Sequence, residues 1–166
     1  LIIAAAGCNA RHFVSWYPSY GPEQRGGTSN CSVVISGREI GSPIVQTADI
    51  LVAMNQPSLQ RFACDVRPGG LILYDATIEN PQIPDGIKAV SVPAMEIANK
   101  LASPKSANTV MLGIIMATGR TGLADEVFYD AIEDNFSGKE KLIQLNKKLL
   151  DEAVKWFRGN CWKSTS

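Results

Sequence analysis

Ile50-Leu51-Val52-Ala53-Met54 and Leu71-Ile72-Leu73-Tyr74 bracket the stretch that decides the fold. Both runs are short, unbroken and apolar, the pattern of a strand buried on both faces. Between them Pro57 or Ser58 is placed to open a short helix over Leu59–Cys64. Pro68-Gly69-Gly70 then reads as a turn. Strand, helix, strand is the unit of a parallel sheet.

Moving toward the C-terminus, residues 86–92 read as another strand, ended by Pro93, and 94–101 as a short helix. Residues 104–118 are apolar nearly all round, the mark of a buried helix. Residues 123–135 and 139–157 are amphipathic. In the last of these, Leu142, Leu145, Leu149, Ala153 and Trp156 repeat at three and four and predict one packed face. Lys139, Lys141, Lys147, Lys148 and Lys155 lie mostly off it, as on a solvated surface.

Toward the N-terminus, Leu1–Ala6 reads as the last turns of a helix closed near Gly7 and Asn9. His12–Tyr17 reads as a strand ended by Pro18, residues 18–30 as a long loop, and Cys31–Ile35 as a strand. Ser36-Gly37-Arg38-Glu39 predicts a hairpin into Ile40. Strands alternating with helices predict a three-layer α/β/α domain with a mostly parallel, partly mixed sheet. At 166 residues the chain is expected to be a single domain with a core of its own. The first residue is Leu and the chain opens on an apolar run, so the expectation is that it enters inside an element.

Composition excludes several classes. Sixteen Lys and Arg balance sixteen Asp and Glu, which argues against a basic nucleic-acid surface. Charged residues make up 19%, below the roughly 25% of an ordinary soluble domain, as when some surface faces other protein. No apolar run reaches a membrane span of about 18 residues, and no signal peptide is visible. A cytoplasmic location is the expectation. Cys8, Cys31, Cys64 and Cys161 form no C-x-x-C pair, so they read as reduced, partly buried thiols rather than metal ligands.

The most unusual segment is residues 18–30. Arg25 offers a fork of donors suited to carboxylate or phosphate, and Gly26-Gly27 lets backbone amides approach an anion. A phosphate-bearing cofactor or anionic substrate fits there. A structural loop in which Arg25 pairs with Glu23 or a partner subunit is the simpler reading, because a lone R-G-G is weak evidence for phosphate. A stand-alone anion- or nucleotide-binding module using Arg25-Gly26-Gly27 is one functional reading. Asn55 and Gln56 follow a buried strand, where open α/β sheets place ligand contacts, though a helix cap explains them more simply. Asp49 and Asp75 flank strands, as a carboxylate pair or as turn residues. His12, the one histidine, has no acidic partner or nucleophile near it in sequence. Neither Ser15, Ser19 nor Ser58 has G-x-S-x-G context. These residues do not make a complete catalytic set.

Trp16-Tyr17-Pro18-Ser19-Tyr20-Gly21-Pro22-Glu23-Gln24-Arg25-Gly26-Gly27-Thr28-Ser29-Asn30-Cys31 resembles the hallmark S-Y-G-P-E-x-R-G-G-T-x-N-C of the γ subunit of 2-oxoacid:ferredoxin oxidoreductases. The similarity continues through Ile40-Gly41-Ser42-Pro43, residues 53–58, Pro68-Gly69-Gly70-Leu71, residues 93–98 and residues 107–113. The resemblance implies an α/β/α domain, inactive alone, within an enzyme that decarboxylates a 2-oxoacid and transfers the acyl group to coenzyme A. Thiamine diphosphate and iron–sulfur clusters are expected in partner α, β and ferredoxin-like subunits. Tyr20, Gly21, Glu23, Arg25, Gly26, Gly27, Thr28 and Asn30 are then the subunit-interface or ligand-contact loop, with Asn55 and Gln56 as secondary contacts. The loop looks closer to 2-oxoglutarate and branched-chain members than to pyruvate members. Family members usually begin with a strand and a glycine-rich turn that are absent here, and Gln24 stands where Met is common. A homodimer is the alternative assembly for the isolated chain.

Overall fold

The computed structural model describes residues 1–20, 29–101 and 106–160. In chain order these form α1 (Ile2–Asn9), β1 (Phe13–Tyr20), β2 (Ser29–Ser36), β3 (Ala48–Ala53), α2 (Gln56–Phe62) and a 3-10 turn (Ala63–Asp65). There follow β4 (Val66–Asp75), β5 (Lys88–Val92), α3 (Ala94–Lys100), α4 (Ala107–Thr118), α5 (Asp125–Asn135) and α6 (Glu140–Asn160). The α/β class expected from the sequence is present. β1 pairs with β2 in one sheet, and a second has the order β3-β4-β5. The chain divides into two compact units.

The first unit is Tyr17–Ser32 with Ser42–Pro93. Its sheet β3-β4-β5 is parallel throughout, Leu51 lying opposite Ile72 and Leu73 opposite Val90. The central β4 is buried as expected, with Ile72 and Leu73 fully enclosed. Side chains alternate along it, and Ile72 and Tyr74 pack with Leu59, Ala63 and Ile78. β3 ends the strand order, and only its Ala53 is buried, so it is not covered on both faces.

Pro68-Gly69-Gly70 is not a turn between elements. It lies inside β4, as a bulge. Between the pairs Ala48–Val66 and Ile50–Leu71, β3 advances two residues while β4 advances five. Gly69 takes a φ of +75°, and a Cβ on Gly70 would lie 2.5 Å from Val66 Cγ1 and 2.7 Å from the Arg67 carbonyl oxygen.

The second unit is Leu1–Trp16, Val33–Gly41 and the chain from Ala94 onward. Its core joins Ala6 of α1, Leu112 and Met116 of α4, Phe128, Ala131 and Ile132 of α5, and Ile143 and Leu150 of α6. α1 ends at Asn9 as expected, with Gly7 inside its last turn rather than at its close. A Cβ there would meet Val14 Cγ2 of β1 at 2.8 Å and Ile35 Cγ1 of β2 at 3.3 Å. Ala10 caps the helix, and Arg11 takes a φ of 60°.

Two other expectations fail for local reasons. Pro18 does not end β1, which runs on to Tyr20; both strands of this two-stranded sheet are edge strands, where Pro is tolerated. No hairpin follows β2: residues 37–47 hold bends and no strand, and the partner of β2 is β1.

The helix α4 is buried nearly all round as expected, and its most extensive helix contact is with α6. The buried stripe of α6 is Ile143, Asn146, Leu149, Leu150 and Ala153. Leu142 is 40% exposed and Trp156 half-buried, so the predicted face is rotated. The stripe centres on a satisfied amide. Thr109 Oγ1 donates to Asn146 Oδ1 at 2.8 Å, and Asn146 Nδ2 donates to the Leu142 carbonyl at 2.8 Å. A buried polar group carries little cost once so paired.

Candidate functional site

Two places gather the residues singled out from the sequence. The first is the junction of β1 and β2. β1 ends at Tyr20 and β2 begins at Ser29. Gly21, Glu23, Arg25, Gly26, Gly27 and Thr28 lie between them, outside the described residues. Asn30 is half-buried on β2. Phe13, Trp16 and Tyr17 on β1 are between 41% and 48% exposed.

The second is the carboxyl edge of the parallel sheet, where α/β proteins place ligand contacts. Asn55 follows β3 there. Its Oδ1 accepts a hydrogen bond from the Ser58 backbone N–H at 2.9 Å, so it caps α2. Gln56 is the first residue of that helix and is half-buried. The simpler reading, a helix cap, holds for Asn55. Asn55→Ala is expected to cost about 1 kcal/mol, read from urea unfolding, while Asn55→Asp keeps most of the stability.

Asp49 and Asp75 do not form a carboxylate pair. Asp49 is exposed near the start of β3 and pairs with Arg67. Asp75 ends β4, beyond the Ala53–Tyr74 pair, so roughly 16 Å of strand separates the two levels. Asp75 is only 2% exposed. Its Oδ1 accepts from the Thr77 backbone N–H at 3.0 Å and from Thr77 Oγ1 at 2.5 Å. Its buried Oδ2 has no hydrogen-bond partner among the described residues. Of the two readings open for Asp75, the turn residue is the one observed; nothing in the pattern signals the orphaned oxygen.

Other candidates disperse. The His12 backbone N–H donates to the Gly7 carbonyl at 3.0 Å, closing the turn after α1. Cys8, Cys31 and Cys64 are exposed rather than partly buried, and Cys161 lies outside the described residues. Among the described residues no three His, Cys, Asp or Glu side chains are grouped to hold a metal ion. Nor is any described helix long and apolar enough to cross a membrane.

One polar contact escaped the sequence reading. Tyr129 Oη donates to Asp151 Oδ1 at 2.6 Å, between α5 and α6. Burial, then this acceptor and its charge, push the phenol above its ordinary value. The unfolded chain loses that proton near pH 10 while the folded chain keeps it, so stability falls as pH rises above about 10. Unfolding of Tyr129→Phe between pH 9 and 11 is expected to show a shallower alkaline decline. An unchanged slope would contradict the contact.

Comparison with known proteins agrees with this architecture. The family model described as pyruvate ferredoxin/flavodoxin oxidoreductase matches residues 1–156. The chain is 53% identical over 160 residues to the ketoisovalerate oxidoreductase subunit VorA of Methanothermobacter thermautotrophicus, covering 96% of this chain and 33% of that protein. It thus spans about a third of the length of that relative. It is 36% identical to the 2-oxoglutarate synthase subunit KorC of the same organism, covering 81% of this chain and 77% of that one. Among solved structures, a keto/oxoacid ferredoxin oxidoreductase γ subunit from Geobacter sulfurreducens superposes with a TM-score of 0.78 at 24% identity, over 93% of this chain and 86% of that one. A 2-oxoglutarate:ferredoxin oxidoreductase chain from Magnetococcus marinus gives 0.82 at 24%, over 93% and 28%. These two likenesses carry the fold.

Proposed function

Because this chain belongs to the pyruvate ferredoxin/flavodoxin oxidoreductase family, we propose that it is the γ-type domain of a 2-oxoacid:ferredoxin oxidoreductase. The observation that carries the reading is its likeness, over nearly the whole chain, to a ketoisovalerate oxidoreductase subunit. A branched-chain 2-oxoacid is accordingly the favoured substrate. The weaker likeness to 2-oxoglutarate synthase subunits favours 2-oxoglutarate as the second reading. The reaction releases carbon dioxide, joins the acyl group to coenzyme A and passes electrons to ferredoxin in the cytoplasm.

The described residues offer no acid–base pair and no cluster-ligand set, so no step of the reaction is placed on them. Thiamine diphosphate, which supplies carbanion stabilisation, and the iron–sulfur clusters belong to partner chains in this proposal. What the domain contributes is a surface. The segment from Tyr20 to Asn30, flanked by the exposed Trp16 and Tyr17, meets the catalytic subunits or the coenzyme A path. Asn55 and Gln56 stand at the sheet edge as secondary contacts.

The test is co-expression with the subunits encoded beside it. The complex is expected to reduce a viologen dye when given 3-methyl-2-oxobutanoate and coenzyme A, faster than with 2-oxoglutarate, and the chain alone is not. Preference for 2-oxoglutarate would select the second reading, and failure to co-purify with any such subunit would sink both. Within the complex, Arg25→Ala removes a charge-assisted contact of about 1.5–3 kcal/mol. It is expected to lower the rate at limiting coenzyme A, or the association constant, roughly tenfold or more. A rate and an association unchanged by Arg25→Ala would remove the loop from the contact surface.

A further inference from the structure

The first half of α6 leaves a groove open to one kind of partner. A cavity of about 370 Å³ is lined by Leu101, just past α3, and by Glu140, Lys141, Gln144, Leu145 and Lys148. Leu101 and Leu145 are half-buried and form its apolar part, whereas the four polar residues are exposed. All six belong to one compact unit. Lys141 and Lys148 are seven residues apart, two helical turns or roughly 10.5 Å on the same face, with Leu145 between them.

The charges of this groove are unequal. Glu140 accepts a hydrogen bond from Gln144 Nε2 at 2.9 Å and keeps its negative charge, so the groove sets two ammonium groups against one carboxylate. Elsewhere on α6, Lys147 pairs with Glu133 and Lys155 approaches Glu152. Lys141 and Lys148 have no ion pair among the described residues. Two unpaired ammonium groups thus rim an apolar floor.

We propose that this groove receives an acidic amphipathic helix from a partner subunit, with two carboxylates on Lys141 and Lys148 and an apolar side chain seated between them on Leu101 and Leu145. A helix suits the site because carboxylates seven residues apart on it repeat the same 10.5 Å, and a residue between them repeats the leucine position. The proposal rests on the reading that the chain works within a multi-subunit enzyme.

Carbodiimide coupling of the assembled complex tests it, since the reagent joins only amines and carboxylates already in contact. The expected result is zero-length cross-links from Lys141 and Lys148 to two Asp or Glu residues about seven apart in one helix of another subunit. Acetylation of both amines is expected to be at least tenfold slower in the complex than in the free chain. Lys141→Gln with Lys148→Gln should lower the salt concentration at which the complex separates, and Lys141→Arg with Lys148→Arg should restore it. A complex that forms while both lysines acetylate as in the free chain overturns the inference and leaves the proposed function standing. Cross-links to a second copy of this chain, or to a non-helical segment, also overturn it. Absence of any complex overturns both.

Discussion

The Phe128→Ala protein is expected to lose about 3–5 kcal/mol of stability. Phe128 is 0% exposed and lies in one cluster with Leu112 and Met116 of α4, Ile132 of α5 and Leu150 of α6. Truncation removes the ring's transfer free energy and opens a cavity that backbone from three helices cannot fill. For a chain of this size each kcal/mol moves the midpoint by roughly 2–4 °C, so thermal unfolding by circular dichroism should shift down by about 6–20 °C. Because total stability is about 5–15 kcal/mol, the variant sits near the edge of folding. Phe128→Leu, expected to cost less, keeps the measurement within range. Tyr129→Phe, one residue away but only half-buried, should cost about 1 kcal/mol or less. A Phe128→Ala loss no larger than that would show that this core is not where the helices are held.

The sequence showed the parallel sheet and the helices plainly, because they follow from periodicity. β4 and α4 read as buried since nearly every residue from Leu71 to Leu73 and from Val110 to Met116 is apolar. What it misplaced follows from effects that periodicity does not carry. Pro68-Gly69-Gly70 has turn composition, yet a bulge uses the same residues to let β4 out-run β3. Gly7 has the composition of a helix end, but its lack of a Cβ serves the approach of α1 to Val14 and Ile35. The α6 stripe was shifted because Asn146 counts as polar in any pattern, although Thr109 and the Leu142 carbonyl satisfy it inside.

The candidate site was legible in a different way. Arg25, Gly26 and Gly27 stand out by their chemistry and Asn55 and Gln56 by their place after a strand, whereas Tyr20, Gly21, Thr28 and Asn30 enter only through the resemblance in residues 16–31. Arg25 has the donor geometry for an anion, but that alone did not separate a ligand loop from an interface. Asn55 could be assigned either to a ligand or to a cap; the 2.9 Å bond to the Ser58 amide establishes the cap, and its contact role rests on its place at the carboxyl edge of the sheet alone. The lysines of α6 read as a solvated face because sequence does not show which of them have partners. Only the ion-pair pattern of the fold separates Lys141 and Lys148 from Lys147 and Lys155. The shortage of charge across the chain agrees with a domain whose surface is partly committed to other chains.

Gly113 tests how closely α4 and α6 are held. It lies in the middle of α4, where Gly is ordinarily about 1 kcal/mol worse than Ala. A Cβ there would stand 2.7 Å from Ala153 Cβ and 3.1 Å from both Cα and the carbonyl oxygen of Leu150. Backbone at that distance does not yield as a flexible side-chain tip does, so the helices must separate. Gly113→Ala is expected to be net destabilising despite its better helix propensity, because overpacking costs about 1–3 kcal/mol. Gly113→Val adds two more methyl groups and a β-branch and should cost about 3 kcal/mol or more. Separating α4 from α6 also strains the buried Thr109–Asn146 bond that joins them. Ala153→Gly removes the nearest obstructing atom, and the Gly113→Ala, Ala153→Gly pair should recover part of the loss as a coupling energy in a double-mutant cycle. Recovery should be incomplete, since the Leu150 backbone remains. If Gly113→Ala proves stabilising by about 1 kcal/mol in urea unfolding, propensity has won, and the two helices are not in the close contact described.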